Sequence, residues 1–172
     1  MDDAVIRSLL KWPDIPAVYG WLMLDRRGNW RIRNPSAATP VYETIGNAAL
    51  RQFIGRNYAA DARGCWFFQN GPQRVYVGLA YAPFVFRIEG RQLADQCGAR
   101  LADIDAAWLD EEGSLVLKSG HCVGLLDDRD LAACAERLME GHFDACGTRI
   151  PVATIQGREL ESRFDFVRTP GP

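Results

Sequence analysis

Lysine is scarce in this chain, since 18 of the 20 basic residues are arginine and only Lys11 and Lys118 are lysine. The lysine-rich stripe that often follows a nucleic-acid backbone is therefore missing, and a net charge of −2 gives no general attraction to phosphates. Long apolar runs are missing too, because none approaches the roughly 18 residues that a membrane span needs. We therefore expect neither a nucleic acid nor a membrane as the main partner.

Histidine is also rare, and the chain has two histidines and five cysteines with no C-x-x-C spacing. The closest grouping is His142 with Cys146, which would need two further ligands to hold zinc. Motifs that cradle phosphates or present a nucleophile, such as G-x-G-x-x-G, G-K-[ST] and G-x-S-x-G, are absent. We expect no cofactor, no metal ion and, in a reducing compartment, no disulfide.

One pair of neighbours, His121 and Cys122, is the combination that a nucleophile and its base require. Neighbouring residues of a strand point to opposite faces of the sheet, so these two cannot form a dyad with each other. A small enzyme is therefore the second hypothesis, with a pocket between sheet and helices and chemistry drawn from Cys65, His121 or His142. A third and weaker hypothesis is binding of single-stranded nucleic acid on aromatic rings and arginines.

Charge is distributed unevenly along the 172 residues. Residues 1–100 carry 13 basic and 8 acidic side chains, a net charge of +5, whereas residues 101–172 carry 7 and 14, a net charge of −7. Opposed charges can hold two parts of one fold together, and no linker separates these parts. We predict a single domain over residues 1–172, with 170–172 as a frayed tail, in a cytoplasmic protein of bacterial origin.

Two hairpins share one turn design. Aligning LMLDRRGNWRI with AWLDEEGSLVL superposes Asp25 on Asp110 and Gly28 on Gly113. A glycine at this place supplies the left-handed backbone conformation that a short turn needs. We interpret the likeness as shared turn chemistry and not as evidence of a duplication.

Helical spacing of apolar residues and capping side chains predict three helices, at residues 3–12, 39–56 and 128–139, and a short helical piece at 93–97. The stretch 160–166 alternates apolar and polar residues, which predicts a strand with one face in water. Hairpins outnumber plausible parallel crossovers. The predicted fold is therefore α+β, a mainly antiparallel sheet built from hairpins with about three helices packed on it.

The stretch GCWFFQNGPQRVYVGLAYAPFVFRI, residues 64–88, holds seven aromatic rings and a Gly-Pro tip. A four-residue loop at 70–73 places Phe67 opposite Tyr76. One face of this hairpin is then apolar and is predicted to be core: Trp66, Phe68, Val75, Val77, Leu79 and Tyr81. The other face carries Phe67 and Tyr76 with small residues beyond them.

Gly78 and Ala80 are those small residues, and beside the rings of Phe67 and Tyr76 they leave a hollow. A closely packed helix or a ligand could fill such a hollow. A structure distinguishes these occupants, because a packed helix would cover the face and a ligand site would leave it open.

Arginines and rings converge on the same side of the sheet if both hairpins belong to it. In the first hairpin Arg33 lies opposite Trp21, which permits a cation–π contact. The combined surface, here called the aromatic/arginine face, comprises Trp21, Arg31, Arg33, Phe67, Arg74 and Tyr76. Guanidinium forks and rings suit carboxylates and phosphates, so the leading hypothesis is a non-enzymatic binding or accessory module for a small anionic ligand or an acidic protein partner.

Overall fold

The computed structural model describes residues 1–90 and 92–172, with the backbone alone at residue 137. The residues form two compact units. Unit 1 comprises Met1–Asp25, Asn29–Ala80 and Phe166–Pro172, and unit 2 comprises Arg26–Gly28 and Tyr81–Asp165. Unit 1 has nine basic and six acidic side chains, a net charge of +3, whereas unit 2 has eleven and sixteen, a net charge of −5. No helix within the described residues is long and apolar enough to cross a membrane.

Unit 1 is a six-stranded mixed sheet accompanied by two helices. Its elements are α1 (Asp3–Lys11), β1 (Val18–Leu24), β2 (Trp30–Arg33), β3 (Tyr42–Thr44), α2 (Ala48–Arg56), β4 (Tyr58–Ala60), β5 (Trp66–Asn70) and β6 (Gln73–Leu79). The strand order is β3-β2-β1-β6-β5-β4. Neighbours are antiparallel except at the centre, where β1 and β6 run parallel.

Unit 2 is an eight-stranded mixed sheet accompanied by two helices and a 3₁₀ turn. Its elements are β7 (Phe84–Glu89), β8 (Gln92–Asp95), β9 (Arg100–Leu101), β10 (Ala106–Leu109), β11 (Leu115–Ser119), β12 (Cys122–Leu126), α3 (Asp128–Met139), β13 (His142–Ala145), β14 (Thr148–Thr154), a 3₁₀ turn (Gly157–Glu159) and α4 (Leu160–Phe164). The strand order is β13-β14-β10-β11-β12-β7-β8-β9. Two pairs are parallel, β7 with β12 and β10 with β14.

The two units repeat one topology. When the strands of each unit are numbered from its first strand, β1 in unit 1 and β7 in unit 2, both sheets contain the order 3-2-1-6-5-4. In both sheets, strands 1 and 6 form the parallel pair at the centre of this order. Strands 4, 5 and 6 of the two units also pair in the same register, and each residue of unit 2 has a number 49 higher than its counterpart in unit 1. Tyr58 lies opposite Phe68 in unit 1, and Ala107 lies opposite Leu117 in unit 2. The correspondence joins β4–β6 to β10–β12, so it goes beyond the shared turn that the sequence revealed.

The chain contains five Asp-x-x-Gly segments, and four of them, which begin at Asp25, Asp61, Asp95 and Asp110, share one turn geometry. In each, the aspartate Oδ1 accepts a hydrogen bond from the backbone N–H four residues later, at 2.6–3.0 Å. The glycine three residues later has a φ of 74–88°, which other residues rarely adopt. The turn design predicted for Asp25 and Asp110 is therefore confirmed, and the topological counterpart of Asp110 is Asp61.

The core of each unit follows the predicted alternation only in part. In the aromatic hairpin the predicted core residues Phe68, Val77, Leu79 and Tyr81 are buried. Trp66 is only half-buried. In unit 2 the ring of Phe86 is fully buried against the backbone of Gly124, which leaves no room for a side chain there.

The α+β class is confirmed, whereas the prediction of a mainly antiparallel sheet with about three helices is wrong. The described residues form two mixed sheets and four α-helices. Parallel partners such as β1 and β6 are separated by four intervening strands. A hairpin is signalled by its turn, but a parallel pair joined through such a long connection leaves no local mark in the sequence.

The helix predicted from residue 39 begins later, at Ala48. Asn47 caps it, because its Oδ1 accepts a hydrogen bond of 3.0 Å from the Leu50 N–H. Residues 42–44 pair instead with β2 as the edge strand β3. Asn47, a good capping residue close to the apolar stripe, therefore sets the start of the helix. Thr39 and Pro40, the start signal on which the prediction rested, do not begin a helix.

Two further local predictions are wrong. Residues 93–97 form the end of strand β8 and a turn, in which Asp95 accepts a hydrogen bond of 2.8 Å from the Cys97 N–H. Residues 160–164 form helix α4 in place of a strand, and Asp165 ends it with a left-handed φ of 52°. Period-two alternation over so few residues fits a short helix as well as a strand, because both can bury Leu160.

Candidate functional site

The register of the unit 1 sheet places the aromatic/arginine face on one side. Arg31 lies opposite Met23, and Met23 lies beside Gly78 of β6. Phe67 lies opposite Tyr76, as the sequence predicted. A bulge in β1, where Gly20 has a φ of 71°, separates the two parts of its register with β6.

The centre of the aromatic/arginine face is packed. Phe67 and Tyr76 are 4% and 5% exposed, and with Cys65 they form a buried cluster. Tyr19 covers Tyr76 with its ring, at a centroid distance of 4.6 Å and an interplanar angle of 3°. Tyr19 precedes Trp21 by two residues on β1, on the face that the sequence predicts, but it is not one of the six residues that define the aromatic/arginine face. The two central rings therefore stabilise the unit.

The rims of the face are open and carry guanidinium groups over rings. Trp21 is 40% exposed, and the Arg33 guanidinium carbon lies 5.8 Å from its ring centroid. Arg74 is exposed and lies 4.5 Å from the ring centroid of Phe67. Among the described residues, neither arginine is paired with a carboxylate. Both cations therefore lie over aromatic rings, and Arg74 also interacts with the Tyr76 hydroxyl.

Arg31 has a different role from the other two arginines. One of its terminal nitrogens donates a hydrogen bond of 2.7 Å to the carbonyl oxygen of Tyr42, and its Nε is buried without a hydrogen-bond partner. The Tyr42 hydroxyl in turn donates to the Gly20 carbonyl oxygen at 2.9 Å. Arg31 therefore holds an edge of the sheet, and Tyr42 is a site residue that the sequence reasoning missed.

A polar cluster lies at the edge of the packed rings. The Tyr76 hydroxyl donates a hydrogen bond of 2.9 Å to Asp61 Oδ2, and Arg63 is 3.3 Å from the same oxygen. Burial acts to raise the pKa of Asp61, but hydrogen bonds from Tyr76 and the Cys65 N–H outweigh it and lower that pKa. Burial and the Asp61 hydrogen bond raise the pKa of Tyr76. Tyr76 is therefore a protonated donor at neutral pH, unsuited to act as a base.

The hollow predicted beside Gly78 exists as a cavity of about 200 Å³. Its lining comes from four strands or loops of unit 1: Gly20, Leu22, Met23, Tyr42, Tyr76, Gly78, Leu79, Arg168, Thr169 and Pro170. Gly78 lacks a side chain, and a Cβ there would lie 3.9 Å from Met23 Cγ and 3.8 Å from the Leu22 carbonyl oxygen. A Cβ at Gly78 would therefore make only ordinary van der Waals contacts.

One side of this cavity is formed by residues 168–170, which belong to a non-helical chain segment, and not by a helix, one of the two occupants that the sequence suggested. Phe166 is 3% exposed. The Val167 N–H donates to the Gly64 carbonyl oxygen at 3.0 Å, and the Leu79 N–H donates to the Arg168 carbonyl oxygen at 2.8 Å. We call residues 166–170 the C-terminal segment. It is held to unit 1 as an added extended chain, an arrangement that its local sequence does not signal.

Cys65 belongs to the packed cluster of the aromatic/arginine face, whereas the other four cysteines and both histidines lie in unit 2. Burial raises the pKa of Cys65, and burial raises the pKa of Cys97 to about 12. His121 is exposed, whereas His142 is buried with its Nε2 3.6 Å from Glu140 Oε2. In the part of the chain that the structure describes, no three His, Cys, Asp or Glu side chains gather as metal ligands would.

Comparison with known proteins gives a family and a fold. Residues 1–171 match the family described as "Protein of unknown function (DUF2946)". No curated protein is significantly similar. A crystal structure of a DUF1285 family protein from Silicibacter pomeroyi DSS-3 is similar at 16% identity and a TM-score of 0.51, over 89% of each chain. A DUF1285 family protein from Shewanella baltica OS155 reaches 15% identity and a TM-score of 0.46, over 69% of this chain and 90% of its own.

Proposed function

The chain belongs to the family described as "Protein of unknown function (DUF2946)", and for this member we propose a binding role without catalysis. In this proposal the aromatic/arginine face holds a small organic anion. The apolar part of the ligand enters the cavity above Gly78, and its carboxylate lies at a rim beside Arg33 or Arg74. An acidic side chain of a protein partner would use the same contacts.

The observation that carries this proposal is a cavity on the same face as two arginines without carboxylate partners. The guanidiniums of Arg33 and Arg74 lie over rings at 5.8 Å and 4.5 Å, so their orientation is restricted before any ligand arrives. A restricted guanidinium loses less side-chain entropy when it binds a carboxylate than a flexible lysine would. The positive net charge of unit 1 adds to the attraction.

The size and lining of the cavity indicate what the ligand resembles. At about 200 Å³ it is smaller than the roughly 300–1,000 Å³ of typical ligand pockets, so only a few heavy atoms fit. Its walls include Met23, Leu79 and Pro170, together with the rings of Tyr42 and Tyr76. These walls favour a short aliphatic chain or a single ring. A small carboxylic acid combines that body with the charge that the rim arginines attract.

The state of the thiols supports binding over covalent catalysis. A cysteine nucleophile needs a lowered pKa, whereas burial raises the pKa of Cys65, Cys97, Cys122 and Cys134. Thiols protonated at neutral pH are poor nucleophiles, so the cysteine chemistry of the enzyme hypothesis has little support in this geometry.

Titration of ¹⁵N-labelled protein with acetate, succinate and phenylacetate tests the proposal. Binding predicts saturable shifts of the Gly20, Gly78 and Thr169 amides for at least one acid, weakened by added salt. Arg33→Gln combined with Arg74→Gln should lower the affinity by about tenfold or more. The matched control, Arg100→Gln combined with Arg149→Gln in unit 2, removes the same charge and should leave the affinity unchanged.

A cavity-filling variant tests the other half of the site. Gly78→Val should abolish binding and preserve stability, because its Cβ meets neighbours only at ordinary contact distances and valine suits a strand. Gly46→Val is the control, since a Cβ at Gly46 meets nothing within 4 Å. Unchanged affinity in Gly78→Val, with the fold intact, would move the ligand out of the cavity and contradict the proposal.

A further inference from the structure

A second cavity, in unit 2, is lined mainly by charged and polar residues. Its volume is about 240 Å³, and its lining comes from the β11–β12 hairpin and the end of α4: Lys118, Gly120, His121, Val123, Arg163, Phe164 and Asp165. Three basic side chains therefore meet at one concave surface. This is notable in a unit whose net charge is −5, because basic groups are the minority there.

The hairpin side of this cavity is held in place by one carboxylate. Asp105 Oδ2 accepts a hydrogen bond of 2.7 Å from the Gly120 N–H and lies 3.7 Å from Lys118 Nζ. The same aspartate thus orders the hairpin tip and restricts the lysine beside it. His121, the next residue of the tip, is exposed, and no hydrogen bond or ion pair involves it within the described residues.

The helix side of the cavity presents a restricted arginine. The Arg163 guanidinium carbon lies 5.0 Å from the ring centroid of Trp108 and 5.9 Å from that of Phe164. No carboxylate of residues 1–90 or 92–172 pairs with it. Asp165 follows in the left-handed conformation, with a φ of 52°, and is the single acidic group of the lining.

We propose that this unit 2 cavity binds a small phosphate monoester. Lys118, His121 and Arg163 offer donors from three separate positions, which matches the three terminal oxygens of a phosphate better than the two of a carboxylate. Val123 and Phe164 supply an apolar wall for a short organic group. Asp165 is the one lining group whose charge opposes that of the phosphate.

This site is independent of the proposed function, because every residue of its lining belongs to unit 2 and none belongs to the aromatic/arginine face. Loss of carboxylate binding in unit 1 would leave it intact, and the reverse also holds. Separate amide reporters therefore distinguish the two failures in one titration.

Glycerol phosphate titrated into ¹⁵N-labelled full-length protein is the test. We expect saturable shifts of the Gly120, His121 and Asp165 amides with a dissociation constant near or below about 1 mM. Arg163→Gln should weaken binding by about tenfold, and Arg158→Gln, a control outside the cavity, should not change it. Asp165→Asn should tighten binding several-fold, because it removes the acidic group while asparagine tolerates the left-handed conformation.

The opposite signs expected for Arg163→Gln and Asp165→Asn separate binding from a general loss of structure, since a misfolded variant could only weaken it. Equal responses to glycerol phosphate and to acetate at matched ionic strength would overturn the proposal. So would unchanged affinity in folded Arg163→Gln, or binding of a phosphoserine peptide without binding of glycerol phosphate.

Discussion

The rings of Tyr19 and Tyr76 lie face to face, 4.6 Å between centroids and 3° between planes. Behind this stack the Tyr76 hydroxyl is bonded to Asp61, which itself caps an Asp-x-x-Gly turn through the Cys65 N–H. One tyrosine therefore connects the packed centre of the aromatic/arginine face to a turn that the chain uses four times. Tyr76 therefore contributes to stability, whereas the proposed ligand binds at the open rims and in the cavity.

Tyr76→Phe should lower the free energy of unfolding at neutral pH by about 1.5–3 kcal/mol, because ionised Asp61 loses a donor. Burial alone would raise the Asp61 pKa, yet its hydrogen bonds lower it. A lowered folded pKa stabilises the protein above the ordinary aspartate range, and this contribution is lost as the pH falls through the folded value. The difference between wild type and variant should therefore shrink in acid.

Urea unfolding at neutral and acidic pH measures this difference. Tyr42→Phe is the control, because its hydroxyl bonds an exposed carbonyl oxygen and no carboxylate. A Tyr76→Phe deficit that is the same at both pH values would show that Asp61 is not the group stabilised by Tyr76.

Deletion of residues 166–172 should destabilise unit 1 by about 3 kcal/mol or more, the usual cost of losing a buried phenylalanine. Phe166 is 3% exposed, and the backbone bonds to Gly64 and Leu79 would be lost with it. Deletion of residues 171–172 should have no measurable effect. Thermal melting of the two truncations decides the matter, and equal melting temperatures would mean that the C-terminal segment adds nothing to stability.

Gly124→Ala should cost about 3 kcal/mol, the upper part of the range for overpacking. An added Cβ would lie 2.6 Å from a ring carbon of Phe86 and 2.8 Å from the Phe84 carbonyl oxygen. Gly46→Ala, where a Cβ meets nothing within 4 Å, should be close to neutral. Chemical denaturation of both variants compares them, and a neutral Gly124→Ala would require that the Phe86 ring moves freely.

The prediction of one domain leads us to expect a single unfolding transition. Unit 1 is discontinuous in the sequence and needs residues 166–172, so a fragment of residues 1–100 should not fold. Calorimetry of the full chain should give equal calorimetric and van 't Hoff enthalpies. Two resolved transitions, or dispersed amide resonances from the fragment, would show that the units are separate domains.

Local chemistry made much of the sheet predictable. The pairing of Phe67 with Tyr76 followed from turn length alone, because side chains alternate and a turn sets the register of both its arms. Asp-x-x-Gly turns were readable for the same reason, since the bonds that define them lie within five residues. Short apolar alternations were less reliable, as residues 160–164 show by forming a helix.

The sequence by itself determined the hairpins, their register and the set of rings and arginines on one face. Only the tertiary structure decided that β1 and β6 pair in parallel, that the C-terminal segment borders the hollow beside Gly78, and that Arg163 and Lys118 line one cavity. The reason is the distance along the chain over which each contact acts. Turn chemistry operates within a few residues, whereas these contacts join segments tens of residues apart and depend on the packing of whole units.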